Sequence, residues 1–191
     1  MLTTLIVLVV LGLLAVFVVI VIALIVIYNK LVRLRNTSEQ AWSDVDVQLQ
    51  RRYDLIPNLV ETVKGYAAHE KSTFEAVTKA RQQAIQISDD ILAKAQAENM
   101  LTQTLRQLFA VAEAYPQLKA NENFLDLKKQ LADIEEKIQL ARRYYNAVVR
   151  DMNNAIDMFP SNIVANIFHF RHKEYFDLEE PEARKAPEVK F

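Results

Sequence analysis

Residues 5–27 (LIVLVVLGLLAVFVVIVIALIVI) carry no polar side chain, and after them the pattern changes abruptly. From residue 30 onward, apolar positions recur every three or four residues between charged ones, the period of an amphipathic helix. The most regular stretch is 121–159. There Phe124, Leu127, Leu131, Ile134, Ile138, Ala141, Tyr145, Val148, Met152, Ala155 and Phe159 follow a 3,4 spacing. Lys128, Lys129, Glu135, Glu136, Lys137, Arg142 and Arg143 lie between them, on the predicted solvent side. This predicts a helix of about 58 Å packed along one seam and ending at Pro160. A second stripe runs Trp42, Val45, Leu49, Arg52, Ile56, Leu59, Val63, Tyr66. Its phase persists across Pro57, so one helix kinked there is expected, the proline cost of about 3 kcal/mol being offset by packing. No breaker separates residues 28 and 56, so the apolar segment is expected to run on into it.

Phe74, Val77, Arg81 and Ala84 predict a shorter helix over about 71–87. Ser88-Asp89-Asp90 ends it and caps the next, over about 90–114, whose face carries Leu101, Leu105, Leu108, Ala112 and Tyr115. Pro116 closes that helix and residues 117–120 turn the chain. Residues 161–171 add a short helix, and 177–191 reads as an extended or disordered tail. Short connections make neighbours antiparallel. The expected fold class is therefore all-α: a transmembrane helix, then an elongated antiparallel bundle of about four helices.

Twenty-three apolar residues make about 34 Å of helix, enough to cross a hydrocarbon layer of about 30 Å. Thirteen are Val or Ile, but in lipid a lone strand leaves its backbone unsatisfied, so helix is expected. A cleaved signal peptide is the competing reading. Against it, residues 1–4 (MLTT) carry no basic side chain, the run is too long, and Ile27-Tyr28-Asn29-Lys30 does not resemble a cleavage site. Lys30, Arg33 and Arg35 flank the exit; by the positive-inside rule they place the N-terminus outside and the C-terminal part in the cytoplasm. Tyr28 sits where an interfacial anchor is expected. The resulting division is a short tail (1–4), a transmembrane helix (5–27), a cytoplasmic bundle (28–176) and the tail (177–191).

Composition narrows the chemistry. All 47 charged residues follow Asn29. With no cysteine there is no disulfide, thiolate metal site or cysteine nucleophile. Two glycines in 191 residues leave no material for a dinucleotide fingerprint or a P-loop. A net charge of −1 gives no reason to expect nucleic acid as a partner.

The runs YNKLV (28–32), AWSDVDVQLQRRYDLIPNLVETVKGYAAHE (41–70), AEAYPQLKANENFLDLKKQL (112–131), IEEKIQLARRYYNAVVRDMNNAI (134–156) and FPSNIVA (159–165) resemble the LemA family, and the resemblance extends over the whole chain. It implies a single-pass protein of the bacterial inner membrane with a cytoplasm-facing helical bundle. It brings no enzyme activity, substrate or cofactor. One branch is associated with forming magnetic organelles from membrane, which suggests membrane shaping by analogy.

The residues themselves offer little catalytic material. His169 and His172 are three apart and could share a helix face, but the Glu-x-x-His of di-iron bundles is absent: Tyr66, Asn166 and His169 stand three before His69, His169 and His172. Asp44 and Asp46 point about 200° apart on a helix, so they form no dyad. No metal, cofactor or catalytic residue is expected. Arg52 interrupts an apolar seam. It is expected to pair with a carboxylate or helix-end carbonyls across the bundle; alternatively it joins Arg51 on an interaction surface. Phe168, Phe170 and Phe191, with Phe159, Tyr175 and Phe176, close the bundle or dock on a neighbouring subunit or the bilayer. Asn146, Asn153 and Asn154 are expected to hydrogen-bond across the bundle. Lys30, Arg33 and Arg35 attract anionic headgroups by about 1 kcal/mol each. The functional expectation is a non-enzymatic scaffold that self-associates on the lipid bilayer and organises or shapes it. The alternative is an adaptor regulating a membrane enzyme or transporter through its bundle.

Overall fold

The computed structural model describes residues 1–88 and 90–177. Among these there is no strand. Six helices follow in order: α1 (Leu2–Lys64), α2 (Lys71–Gln86), α3 (Ile91–Glu113), α4 (Pro116–Lys119), α5 (Glu122–Asp157) and α6 (Ser161–Ile167). The apolar run and the Trp42 stripe are one element, α1, which continues through Pro57. The hydrogen bond that Pro57 cannot make is offset by burial on either side of it, at Ile56, Leu59, Val60 and Val63. The fourteen-residue tail from 178 and its Phe191 lie outside the described residues, as does Asp89.

The chain forms two compact units. The first comprises Met1–Ala41 and Ala147–Lys173. Its α1 portion is exposed throughout the apolar run as far as Val26. Packing begins at Leu31, which shares a core with Met152, Ala155 and Ile156 of α5 and Val164 and Ala165 of α6; Ile27, Leu34 and Phe170 pack against it. Ser38 donates to the carbonyl of Arg35 at 2.6 Å and points to Met152 Sδ at 3.9 Å. With Leu31 beside Ile156, that contact makes α1 and α5 antiparallel here. Phe159, expected to complete the α5 seam, is 81% exposed because α5 stops at Asp157. After α6 the chain turns at His169, whose φ is 56°. Asn153 then holds Lys173 by its backbone, donating from Nδ2 to the carbonyl at 3.0 Å and accepting from the amide at 2.9 Å.

The second unit comprises Trp42–Asn146 with the chain from Glu174. Trp42 meets Tyr145 (ring centroids 5.3 Å) and Arg52 meets Glu135, so α1 and α5 are antiparallel. Asp46 approaches Lys94 and Arg52 meets Glu98, so α1 and α3 run the same way. Phe109 and Phe124 meet at 6.3 Å, and with the short α2–α3 link this completes an up-down-up-down order. The buried faces are Val45, Leu49 and Ile56 on α1, Phe74 and Val77 on α2, Leu101, Leu105 and Leu108 on α3, and Leu131 and Ile138 on α5.

Local chemistry sets the ends. Asp90 accepts from the amide of Ala93 at 2.9 Å, and Asn121 from that of Phe124 at 2.9 Å, each capping a helix start. Residues 117–120, expected to be a plain turn, belong mostly to α4, because Pro116 is pre-set for the first helical position and opens a turn of helix. Tyr66, expected on the α1 stripe, lies beyond the helix end; its hydroxyl accepts from Asn121 Nδ2 at 3.0 Å. Asn146 does not bond to another helix. It clamps Phe176, accepting from its amide at 2.9 Å and donating to its carbonyl at 3.2 Å, while Tyr145 donates to the carbonyl of Glu174 at 2.9 Å. Phe176 is buried against the Trp42 ring.

Candidate functional site

In the second unit the bundle interior holds charge. Arg52 sits on the α1 seam with no exposed surface. Its guanidinium pairs with Glu98 of α3 through Nη2 and with Glu135 of α5 through Nη1 at 2.6 Å. The Tyr53 hydroxyl donates to the other oxygen of Glu98. Arg81 of α2 donates from Nε to the carbonyl of Tyr53 at 2.7 Å, so all four long helices contribute. Lys94, also buried, donates to the carbonyls of Ala84 and Ile87 at 3.0 and 2.9 Å. These are carbonyls at the C-terminus of α2, where a cation is favourable. Its ammonium lies 5.4 Å from the Tyr53 ring centroid, within cation–π range.

Arg52 thus faces the carboxylates of Glu98 and Glu135, and Lys94 has the exposed carboxylate of Asp46 at 3.9 Å. Burial lowers the Lys94 ammonium from its ordinary value, an effect the Asp46 carboxylate opposes. Burial likewise raises the Tyr53 phenol, against the nearby Arg52 charge. The Glu98 carboxylate is committed to Arg52 and Tyr53, while Glu135 keeps about a third of its surface open to the groove beside it. The cluster's geometry suits a device that fixes helix register, in which removing either partner strands a buried charge. Beside it, α3 and α5 frame a half-open groove of about 300 Å³ between Leu105, Phe109, Leu131 and Ile138, with Glu135 on its wall.

The other expected site residues fall in different places. Arg52 cannot share a surface with Arg51: Arg51 is exposed and Arg52 is enclosed. Glu135, read as solvent-facing, is drawn to about one-third exposure by Arg52. His169 and His172 share no helix face, since both lie beyond α6; His172 Nε2 lies 3.0 Å from Asp157 Oδ1. Among the described residues no group of three or more His, Cys, Asp or Glu could hold a metal. Lys30, Arg33 and Arg35 stand on α1 in the first unit. There the Arg35 guanidinium lies 5.8 Å from the ring centroid of Phe170. Phe168 is exposed and Phe170 half-buried. Lys94 and Glu98 were not anticipated, although 94, 98, 101, 105, 108 and 112 continue one 4,3 spacing.

The sequence pattern of the LemA family matches residues 41–191. The chain belongs to the LemA family. Among its relatives, Magnetosome protein MamQ 2 of Paramagnetospirillum magneticum is 26% identical over 174 aligned positions, covering 78% of this chain and 64% of that one. Magnetosome protein MamQ of Magnetospirillum gryphiswaldense is 25% identical over the same length and coverage. Protein LemA of Metamycoplasma hominis is 26% identical over 137 positions, covering 72% of this chain and 63% of its own. This LemA family chain therefore spans a little under two thirds of the length of the curated relatives it matches.

Proposed function

We propose that this LemA family protein is a single-pass, membrane-anchored scaffold of the bacterial inner membrane that self-associates and organises or shapes the bilayer without catalysing a reaction. One observation carries the reading: the 23-residue apolar run, with no packed neighbour before Ile27, opens the same helix that enters the bundle. In water so much exposed apolar surface is untenable, whereas in hydrocarbon it is the stable arrangement. Residues 5–27 cross the membrane, with the N-terminus outside and residues 28–176 in the cytoplasm behind Lys30, Arg33 and Arg35. The kinship with proteins named for the magnetosome supports an organising role. The Arg52–Glu98 pair, enclosed on both sides, supports a static one.

Crosslinking in native membranes, with imaging of particles extracted into a membrane-mimetic polymer, tests the reading. Homo-oligomers at native abundance are expected. A strictly monomeric protein overturns the scaffold, and one stoichiometric foreign partner favours an adaptor instead. A C-terminal reporter that is active only outside the cytoplasm overturns the orientation.

A further inference from the structure

Helix α6 is apolar in two directions. Val164 and Ala165 face inward onto Leu31. Ile163 and Ile167, one turn apart, are exposed, and so are Met158 and Phe159 before the helix and Phe168 after it. The outward side also carries Asn166, but five large apolar side chains exposed together at one corner form a patch that does not rest stably at a water boundary. One face has the protein core; the other needs a second apolar medium.

The position of the corner along α1 identifies that medium. The Phe168 ring lies 4.7 Å from the Tyr28 ring, and that of Phe170 6.0 Å from it. Tyr28 is the first residue after the apolar run, and Ile27, the last of that run, packs on the α6 core. The corner therefore stands beside the last turn of the apolar run, at the depth where headgroups meet hydrocarbon and aromatic side chains collect. The polar surroundings fit an anionic leaflet. This unit holds six basic side chains against three acidic ones, although the whole chain carries a net −1.

We propose that Met158, Phe159, Ile163, Ile167 and Phe168 form an interfacial foot that enters the cytoplasmic leaflet beside the anchor. The proposal rests on reading 5–27 as membrane-spanning. A lone helix is free to rotate and tilt in the bilayer; a second apolar contact off its axis fixes both.

The chain has no cysteine, so single ones can be introduced for labelling. Phe159→Cys and Ile163→Cys report the foot, Phe17→Cys the centre of the apolar run, and Leu140→Cys an exposed α5 site in the second unit. Each full-length variant carries an environment-sensitive fluorophore in vesicles of phosphatidylethanolamine and phosphatidylglycerol. At 159 and 163, iodide quenching is expected to be several-fold weaker than at 140, and nitroxide lipids labelled near the headgroup should quench strongly. If 159 and 163 quench with iodide like 140 while 17 stays shielded, the foot is wrong and the anchor stands. Shielding from both iodide and nitroxide lipid means that a second protein chain covers the patch, which also overturns the proposal. Iodide access at 17 removes the anchor and the foot with it.

Discussion

Arg52 occupies a seam position at which an aliphatic side chain would pack at no electrostatic cost. Its retention there depends on Glu98 and Glu135 taking up its charge. Replacing it with Met strands the Glu98 carboxylate in the interior. Arg52→Met should therefore destabilise the bundle by about 3–5 kcal/mol, read as a lower denaturant midpoint for the full chain in detergent. The triple variant R52M/Y53F/E98L removes the stranded groups together and should recover most of that loss. A single variant as stable as the parent would show that the cluster is not coupled. Arg52 was legible in the sequence because it breaks an apolar stripe. Its partners were less so. Lys94 and Glu98 extend the α3 stripe in phase, but a charge at the start of a helix ordinarily reads as solvent-facing, and only the third dimension shows it meeting its complement. Glu135 adjoins the seam residue Ile134, a flank position where half-burial is ordinary.

At the scale of elements, hydropathy period located every long helix to within a few residues, because each buries one stripe and exposes the rest. The continuity of α1 past Pro57 followed from the same argument of phase. Less legible were the pieces whose structure comes from side chain–backbone bonds. Asn146, Asn153 and Asn154 looked like interhelical ties, yet Asn146 and Asn153 hold a returning chain that has no periodicity to read, and Asn154 is exposed. Tyr145 belongs to the same attachment in the second unit, and its phenol is pushed up to about 12, first by burial and then by the Glu174 charge. An unfolded tyrosine releases its proton near pH 10. From about pH 10 to 12 the unfolded chain thus loses a proton that the folded one keeps. The contribution is complete below pH 10 and drains away as pH rises toward 12. Tyr53, raised for the same reason, acts with the same sign. In alkaline unfolding curves Tyr145→Phe should lose less stability across this window than the parent. Equal losses would place Tyr145 in open solvent.

For the whole molecule, the apolar run sets how firmly the chain is held. Its twenty Leu, Ile, Val and Phe residues each favour insertion by about 0.3–0.6 kcal/mol, whereas an arginine at the centre costs about 3 kcal/mol. Val16→Arg alone should leave the protein in the membrane pellet after alkaline carbonate. Gly12→Arg, Val16→Arg and Ile20→Arg together cost about 9 kcal/mol and should release it to the supernatant. Release by the single change would mean that the run does not span.

The exposed corner around Phe159 has a practical consequence for anyone who trims the anchor to obtain a tractable fragment. Cutting at residue 29 removes the obvious grease but leaves this smaller patch bare. Such a fragment is prone to pair through it in the test tube. Dimers or higher species of a clipped form therefore gauge stickiness at one corner, and they speak to native assembly only after Phe159 and Ile163 have been exchanged for polar residues and the species persist.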